Sequence, residues 1–385
     1  MSGIKDQLER KFTDVMLKSK IKKNIIFESI PDLSDNTKAV FEEMVKRGYN
    51  EKYNLIWELE DVNFDTSKLE RYPEVGYIYS DQENKMHRIA HMKALSNAVL
   101  LISCNRFIKK FSDKQYYIHL AHGCAFKQTK NYHIPDYTDH ILTFSDYIGK
   151  YDAINFNCSP DLMLPLGYPR CDELFERKVD IHRLFPNSIF TKAIYWLPTY
   201  RQHRDGVQIH SNISFPIIHD DAAAGRVNEY CKEHGVLLIV KPHPIQDLSE
   251  IKELNLSNLV FIDNDFLTEN EITNYGLLGS CDALLSDYSS VYYDYLLCNR
   301  PIGLCWEDFE EYNKRDGFTV DPTFIMRGGE KLYTEQDLCN FINSVAKGED
   351  RLQTERNEIL HLVHDHIDNR ATERVVDFIE EHYLR

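Results

Sequence analysis

The 385-residue sequence lacks several features that would place it in other classes of protein. It contains no apolar stretch close to the ~20 residues that a membrane-spanning helix needs. Met1 is followed by a charged, polar segment, so we expect no secretory leader. The nine cysteines are scattered, without a CxxC pair or a His/Cys spacing suited to zinc. Because dispersed cysteines are typical of a reducing compartment, we expect a cytoplasmic protein.

Positive charge is also scarce. The chain has 45 Lys and Arg against 61 Asp and Glu, which gives a formal net charge of −16. A general nucleic-acid-binding protein needs a basic face, so we expect no nucleic-acid partner. The sequence contains no dense group of carboxylates that would suggest a magnesium site. We therefore predict neither a metal ion nor a cofactor.

Strand and helix signals alternate along the chain. Apolar segments of the first half predict strands near 24–27, 53–59, 75–79, 99–102, 116–121, 141–144 and 162–164. Those of the second half predict strands near 193–197, 236–240, 259–262, 282–285 and 301–305. Helices fit between the later strands at 219–234, 270–279 and 290–298, and further helices are predicted at 335–346, 351–366 and 370–383. Strands that alternate with helices predict parallel sheets with right-handed crossovers.

The alternation breaks at Tyr168 to Asp172 and resumes at Ala193. We therefore predict one Rossmann-like domain over 1–175 and a second over 190–365. A C-terminal helix over 366–385 is predicted to pack back on the N-terminal domain. Two Rossmann-like domains facing a cleft, with C-terminal helices, form the α/β architecture called GT-B. A single larger sheet is the alternative that spacing leaves open.

Three polar clusters in the second half each follow an apolar run: Pro198 to Arg201, Lys241 to Pro244 and Ser286 to Ser290. In open α/β sheets, ligands bind just beyond the carboxyl ends of the strands. Guanidinium, ammonium and hydroxyl groups beside a helix start can together hold a diphosphate. Each cluster also has a structural interpretation, as a helix cap, as a strand end at two prolines or as an exposed loop. Asp287 favours the helix cap, because a carboxylate repels phosphate unless it faces the protein.

The first half offers one candidate for acid–base chemistry. His122 follows a predicted strand, and Gly123 lets the backbone turn sharply there. We predict His122 as a general base, with a hydrogen-bonded structural histidine as the alternative. His119 lies within the strand and is interpreted as structural. At the predicted domain boundary, Arg170 and Asp172 either bind ligand or pair with each other.

Taken in order, five elements of the sequence resemble the CDP-glycerol glycerophosphotransferase family, the primases and polymerases of teichoic acids and related capsules. They are His122 to Lys127, Gly167 to Asp172, Pro198 to Arg201, Lys241 to Pro244 and Ser286 to Ser290. The resemblance runs from about residue 115 to the C-terminus. Residues 1–110 match the family only in the arrangement of their predicted strands and helices.

This resemblance implies an acceptor side in the N-terminal domain and a nucleotide-donor site in the C-terminal domain. His122 would deprotonate an acceptor hydroxyl, which attacks the β-phosphorus of the donor while CMP leaves. His243 is a second catalytic candidate. The residues implied in donor binding are Arg201, Lys241, His243, Ser286, Asp287, Ser289 and Ser290. Lys127, Arg170 and Asp172 are further candidates, and no metal is implied.

The predicted function is transfer of glycerol phosphate from CDP-glycerol to a hydroxyl of a wall teichoic acid or capsule glycan, which can be lipid-linked. The segment from Phe318 to Gly329 departs from the family pattern, so CDP-ribitol stays open as the donor. Two further alternatives are a GT-B glycosyltransferase that uses a nucleotide sugar and a non-catalytic protein that binds nucleotide-linked metabolites.

The N-terminal segment suggests contact with a membrane. Apolar residues recur there at helical spacing, and residues 1–23 contain seven Lys or Arg against three Asp or Glu. We predict that residues 1–20 form a basic amphipathic helix on an anionic membrane surface, which would make the protein peripheral on the inner face of the cell membrane. A first helix packed on its own domain is the alternative.

Overall fold

The computed structural model of the protein describes residues 22–124, 126–129, 133–199, 215–242 and 256–385. Two parallel sheets organise this part of the chain. The strands of the first sheet are β1 (Asn24–Glu28), β2 (Asn54–Leu59), β3 (Val75–Tyr79), β4 (Ala98–Ser103), β5 (Tyr116–His119), β6 (His140–Leu142) and β7 (Met163–Leu164). Their spatial order is β3-β2-β1-β4-β5-β6-β7.

The second sheet has six strands: β8 (Lys192–Trp196), β9 (Val236–Val240), β10 (Leu259–Phe261), β11 (Ala283–Ser286), β12 (Ile302–Cys305) and β13 (Glu330–Leu332). Their order is β10-β9-β8-β11-β12-β13, and the pairings of β8 with β9 and with β11 are parallel. All five residues of β9 are buried, as a continuous apolar strand covered on both faces requires.

Helices connect the strands of both sheets. In the first half they are α1 (Asp35–Lys46), α2 (Tyr49–Lys52), α3 (Ser67–Glu70), α4 (Lys85–Ser96), α5 (Asp146–Phe156) and α6 (Ile181–Leu184). In the second half they are α7 (Asp221–Glu233), α8 (Asn264–Glu269), α9 (Asn274–Ser280), α10 (Val291–Leu296), α11 (Phe309–Arg315), α12 (Pro322–Ile325), α13 (Glu335–Lys347), α14 (Gln353–Val363) and α15 (Ala371–Tyr383). A single turn of 3₁₀ helix covers Pro160–Leu162, and a longer 3₁₀ segment covers Pro169–Phe175.

By its contacts the chain divides into two compact units. The first comprises residues up to His122 together with 135–141 and 372–385, and the second comprises 123–134 and 142–371. Within the first unit, Tyr383 at the end of α15 stacks on Tyr116 with ring centroids 4.7 Å apart. The domain ranges 1–175, 190–365 and 366–385 stay a prediction. Residues 142–175 belong to the second unit by their contacts, although β7 within them is a strand of the first sheet.

Each unit has its own apolar core. In the first unit, Ile26, Leu101 and Tyr117 pack with Ala94 and Leu95 of α4. In the second unit, α7 and α13 pack against the apolar strands β8, β9 and β11. Burial of these strands at about 25 cal/mol per Å² fixes the sheets and so places the loops at their carboxyl ends.

Candidate active site

The carboxyl ends of three neighbouring strands in the second sheet carry polar residues. Lys241 follows β9, Thr199 follows β8, and Ser286 ends β11. The ladder continues beyond the strands, because the backbone N–H of Lys241 donates to Trp196 O at 3.0 Å and that of Leu197 donates to Leu285 O at 2.9 Å. The predicted clusters therefore lie side by side at one edge of the sheet. Arg201 and His243 lie outside the described residues.

Ser286 and Asp287 are used by the loop itself. The Ser286 hydroxyl donates to Leu197 O at 2.8 Å, and Asp287 is completely buried. The Asp287 carboxylate accepts the backbone N–H of Thr199 at 2.9 Å, the Thr199 hydroxyl and the backbone N–H of Tyr288 at 2.6 Å. Both residues were predicted to bind the donor. Their side chains instead point into the protein and form hydrogen bonds with Leu197 and Thr199 in the loop after β8. Thr199 was not singled out in the sequence, although its place in the Pro-Thr-x-Arg element marks it.

Ser289 and Ser290 are half-buried at the start of α10 and are better placed for a ligand. Ser290 precedes the helix without capping it through its side chain. Gly123, which lies in the same unit, approaches so closely that a Cβ on it would stand 2.7 Å from Ser290 Oγ. An alanine at position 123 would therefore displace the hydroxyl of Ser290.

Lys241 is half-buried at the end of β9. Burial lowers the pKa of its ammonium group, and Asp263 opposes this shift. An ammonium group that has lost part of its water shell gains much from an anionic partner. Lys241 is thus suited to a phosphate group at this edge of the sheet.

The segment that carries Lys127 is part of the second unit and is bound through its backbone to the segment near residue 318. The Gln128 N–H donates to Gly317 O at 3.3 Å, and the Thr319 N–H donates to Phe126 O at 2.9 Å. The ammonium group of Lys127 lies 5.5 Å from the ring centre of Tyr312, within the range of a cation–π contact. The stretch near 318, where the sequence departs from the family pattern, thus supports a candidate site residue.

Arg170 and Asp172 do not pair with each other. The Arg170 guanidinium donates to Asp294 at 3.0 Å, and both side chains are buried. The Asp172 carboxylate accepts the backbone N–H of Ala371 at 2.9 Å. Because Arg170 is shielded from solvent and bound to a buried carboxylate, its contacts are structural. The partner lies 124 residues along the chain, so spacing within the Pro-Arg-x-Asp element could not show it.

His122 ends the first unit, directly after the turn that follows β5. Its side chain is exposed, and its Nδ1 lies 3.4 Å from the carbonyl oxygen of Cys104. His119 differs, because it is completely buried and its Nδ1 lies 3.0 Å from the Ser103 hydroxyl. Burial lowers the pKa of His119 to about 3, so this ring stays neutral. Of the two histidines, His122 has the exposure that contact with a substrate needs.

Two kinds of feature are absent from the described part of the chain. It contains no group of three or more His, Cys, Asp or Glu side chains arranged to hold a metal ion. Within the same residues, none of the helices has the length and apolar character required to cross a bilayer.

Two parallel sheets with connecting helices, and with Lys241 and hydroxyls beyond the strand ends of the second, are typical of transferases of the GT-B class. The chain matches the model of the CDP-Glycerol:Poly(glycerophosphate) glycerophosphotransferase family over residues 11–381 and belongs to that family. The resemblance predicted from the five sequence elements is confirmed. The chain is accordingly a transferase of a phospho-alditol group.

Among its relatives is the teichoic acid glycerol-phosphate primase of Bacillus subtilis (strain 168), which is 24% identical over 80% of this chain and 81% of the primase. The teichoic acid poly(ribitol-phosphate) polymerase of Bacillus spizizenii is also 24% identical, over 95% of this chain and 58% of the polymerase. This chain therefore spans less than two thirds of that polymerase.

A solved structure of the wall teichoic acid polymerase TagF shares the fold. It superposes with a TM-score of 0.68 at 20% identity, covering 94% of this chain and 88% of the polymerase chain. The GT-B prediction is confirmed by this likeness.

Proposed function

We propose that this protein transfers glycerol phosphate from CDP-glycerol to a hydroxyl group of a teichoic acid chain and releases CMP. The observation that carries the proposal is the placement of Lys241 and the Ser286 to Ser290 loop at the same carboxyl edge of the second sheet, after the two strands that flank β8. A cation and two hydroxyls at strand ends suit the diphosphate of such a donor. Membership of the family supports CDP-glycerol as its source.

In the proposed reaction His122 accepts the proton of the acceptor hydroxyl. The acceptor oxygen forms a bond to the β-phosphorus of CDP-glycerol, and the bond from that phosphorus to the bridging oxygen breaks. CMP leaves with the bridging oxygen and its electron pair. Lys241, Ser289 and Ser290 stabilise the negative charge that develops on the leaving phosphate. Arg201 and His243, which lie outside the described residues, are proposed to take part through the family resemblance.

The test measures CMP release by purified protein in the presence of a short teichoic acid acceptor. CDP-glycerol, CDP-ribitol and common nucleotide sugars are compared at equal concentrations. The proposal expects CDP-glycerol to give the highest kcat/KM, and His122→Ala to lower kcat by about two to four orders of magnitude. Preference for CDP-ribitol or for a nucleotide sugar would contradict the proposed donor. CMP release without acceptor would contradict transfer.

We also propose that the protein binds peripherally to anionic membranes through residues 1–20, which lie outside the described residues. The basic, amphipathic pattern of this segment supports the contact. Deleting it should abolish sedimentation with anionic vesicles and preserve transfer to a soluble acceptor. If the truncated protein still sediments, the contact lies elsewhere. In that case α4, which exposes Met86, Ile89 and Met92, is the next surface to test.

A further inference from the structure

The residue before the proposed base adopts a conformation that its surroundings must stabilise. β5 ends at His119, which is the last residue of the register with β6. Ala121 has a φ of +50°, in the left-handed region that residues with a Cβ atom rarely occupy. The turn leaves Leu120 and Ala121 buried and brings His122 to the surface. The carbonyl oxygens of the two buried residues therefore need hydrogen-bond donors from outside the strand ladder.

Asn36 supplies these donors. It lies in the first turn of α1, is completely buried, and its Nδ2 lies 3.1 Å from Leu120 O and 2.7 Å from Ala121 O. A carboxamide nitrogen has two hydrogens, so one side chain can bind both carbonyls at once. The Cys104 thiol adds a weaker donor to Ala121 O at 3.1 Å. A single asparagine thus closes the turn that presents His122.

The ring of His122 is oriented by the same surroundings. A carbonyl oxygen only accepts hydrogen bonds, so the contact with Cys104 O requires the proton of the neutral ring on Nδ1. The lone pair is then on Nε2. The Cys104 loop is itself fixed by the buried Glu28, whose Oε2 accepts the backbone N–H groups of Cys104, Asn105 and Arg106 at 3.1 to 3.2 Å. The turn and this loop together determine both the direction and the tautomer of His122.

We propose that Asn36 is a positioning residue for His122. By holding the carbonyls of Leu120 and Ala121, it keeps Nδ1 of His122 against Cys104 O and the lone pair on Nε2. This inference rests on the proposed role of His122 as the base. Because Asn36 is completely buried, we expect it to act only through His122, so its loss should lower kcat and leave the donor KM nearly unchanged.

The experiment compares Asn36→Ala with a matched control in the second unit. Asn258 also donates Nδ2 to two backbone carbonyls, those of Ile189 at 3.0 Å and Val236 at 2.9 Å. Val236 begins β9, at the end of the strand opposite Lys241. Both variants lose a buried pair of hydrogen bonds, and thermal unfolding should report this for each. Only Asn36→Ala should lower kcat, by about 10- to 100-fold, because small displacements of a catalytic group have that effect.

Two readouts separate positioning from general damage. In a His122→Ala background, Asn36→Ala should cause no additional loss of turnover, because the group that it positions is absent. Equal losses in both backgrounds would overturn the proposal. In ¹⁵N spectra of the neutral rings, wild-type His122, assigned by comparison with His122→Gln, should carry its proton on Nδ1. Asn36→Ala should shift this proton toward Nε2, and an unchanged tautomer would also overturn the proposal.

The outcome also distinguishes this inference from the proposed function. If His122→Ala keeps wild-type turnover, the role of His122 as base fails, while the tautomer measurement still reports whether Asn36 orients the ring. If Asn36→Ala does not fold, Asn36→Ser keeps one hydrogen-bond donor at this position. The serine variant should then show a kcat between the wild-type and His122→Ala values. A wild-type kcat in a folded Asn36→Ser variant with the tautomer changed would contradict the link to catalysis.

Discussion

The packing of Gly123 against Ser290 gives the sharpest test of the donor site. A Cβ on Gly123 would lie 2.7 Å from Ser290 Oγ and 3.6 Å from Ser290 Cβ. The second distance is an ordinary contact, so the hydroxyl is the atom that obstructs an alanine. Because Gly123 does not have a positive φ, its backbone accepts the substitution. Gly123→Ala should therefore rotate the Ser290 hydroxyl away and change little else.

The magnitude follows from what the hydroxyl is proposed to bind. A hydrogen bond to a charged phosphate contributes about 1.5–3 kcal/mol, and 1.4 kcal/mol corresponds to about a tenfold change in affinity. Ser290→Ala should thus weaken CDP-glycerol binding by about 10- to 100-fold. Gly123→Ala should weaken it by a similar factor, because it displaces the same group.

The double variant tests whether Gly123→Ala acts through the Ser290 hydroxyl. With Ser290→Ala in place, the alanine at 123 meets only a Cβ at 3.6 Å, so Gly123→Ala should add no further loss. Calorimetric titration with CDP-glycerol measures all three affinities. Gly225→Ala is the control, since a Cβ on Gly225 in α7 meets nothing within 4 Å. Independent losses that multiply in the double variant, or wild-type affinity in Gly123→Ala, would refute the assignment of Ser290 to the donor.

Two further predictions concern pH. Burial lowers the pKa of Lys241, so its ammonium group should lose its proton, and donor affinity should fall, as pH rises through that lowered pKa. Lys241→Arg should abolish the fall, because a guanidinium group keeps its charge. Binding titrations between about pH 7 and 10 measure this dependence. Burial also lowers the pKa of His119 to about 3 and that of His364 to about 4. Since an unfolded histidine takes up its proton near pH ~6.5, the free energy of unfolding should fall below that pH, by about 2 kcal/mol per histidine at pH ~5. His364→Gln should flatten this dependence in urea unfolding, and an unchanged slope would contradict the explanation.

The strands β8 to β12 of the second sheet were predictable because each contains a continuous apolar run. The predicted ranges 236–240 and 259–262 correspond to β9 and β10, which end at Val240 and Phe261. Parallel strands buried on both faces need such runs, so composition alone marks their ends. The carboxyl edge follows from those ends, and with it the neighbourhood of Lys241 and Ser286.

Elements without apolar runs were missed. α5 was not predicted, because its buried face includes Gly149 and Asp152, which hide the helical periodicity. β13 has only three residues, two of which are charged, and it pairs with β12 at the edge of the sheet. In both elements tertiary packing outweighs the local sequence signal.

The residues of the candidate site also fall into two groups, those that the sequence could predict and those that it could not. The residues suited to contact the donor lie next to strand ends, where sequence patterns can find them. The residues that orient the proposed base come from distant segments and are recognisable only by their contacts. Asn36 lies in a Ser-Asp-Asn-Thr cluster of the kind that starts a helix, yet its amide binds carbonyls 84 and 85 residues away. A helix start tolerates several polar residues, whereas two buried carbonyls beside a left-handed alanine require a side chain with two hydrogens to donate. Position 36 should therefore accept fewer side chains without loss of function than its place at a helix start suggests.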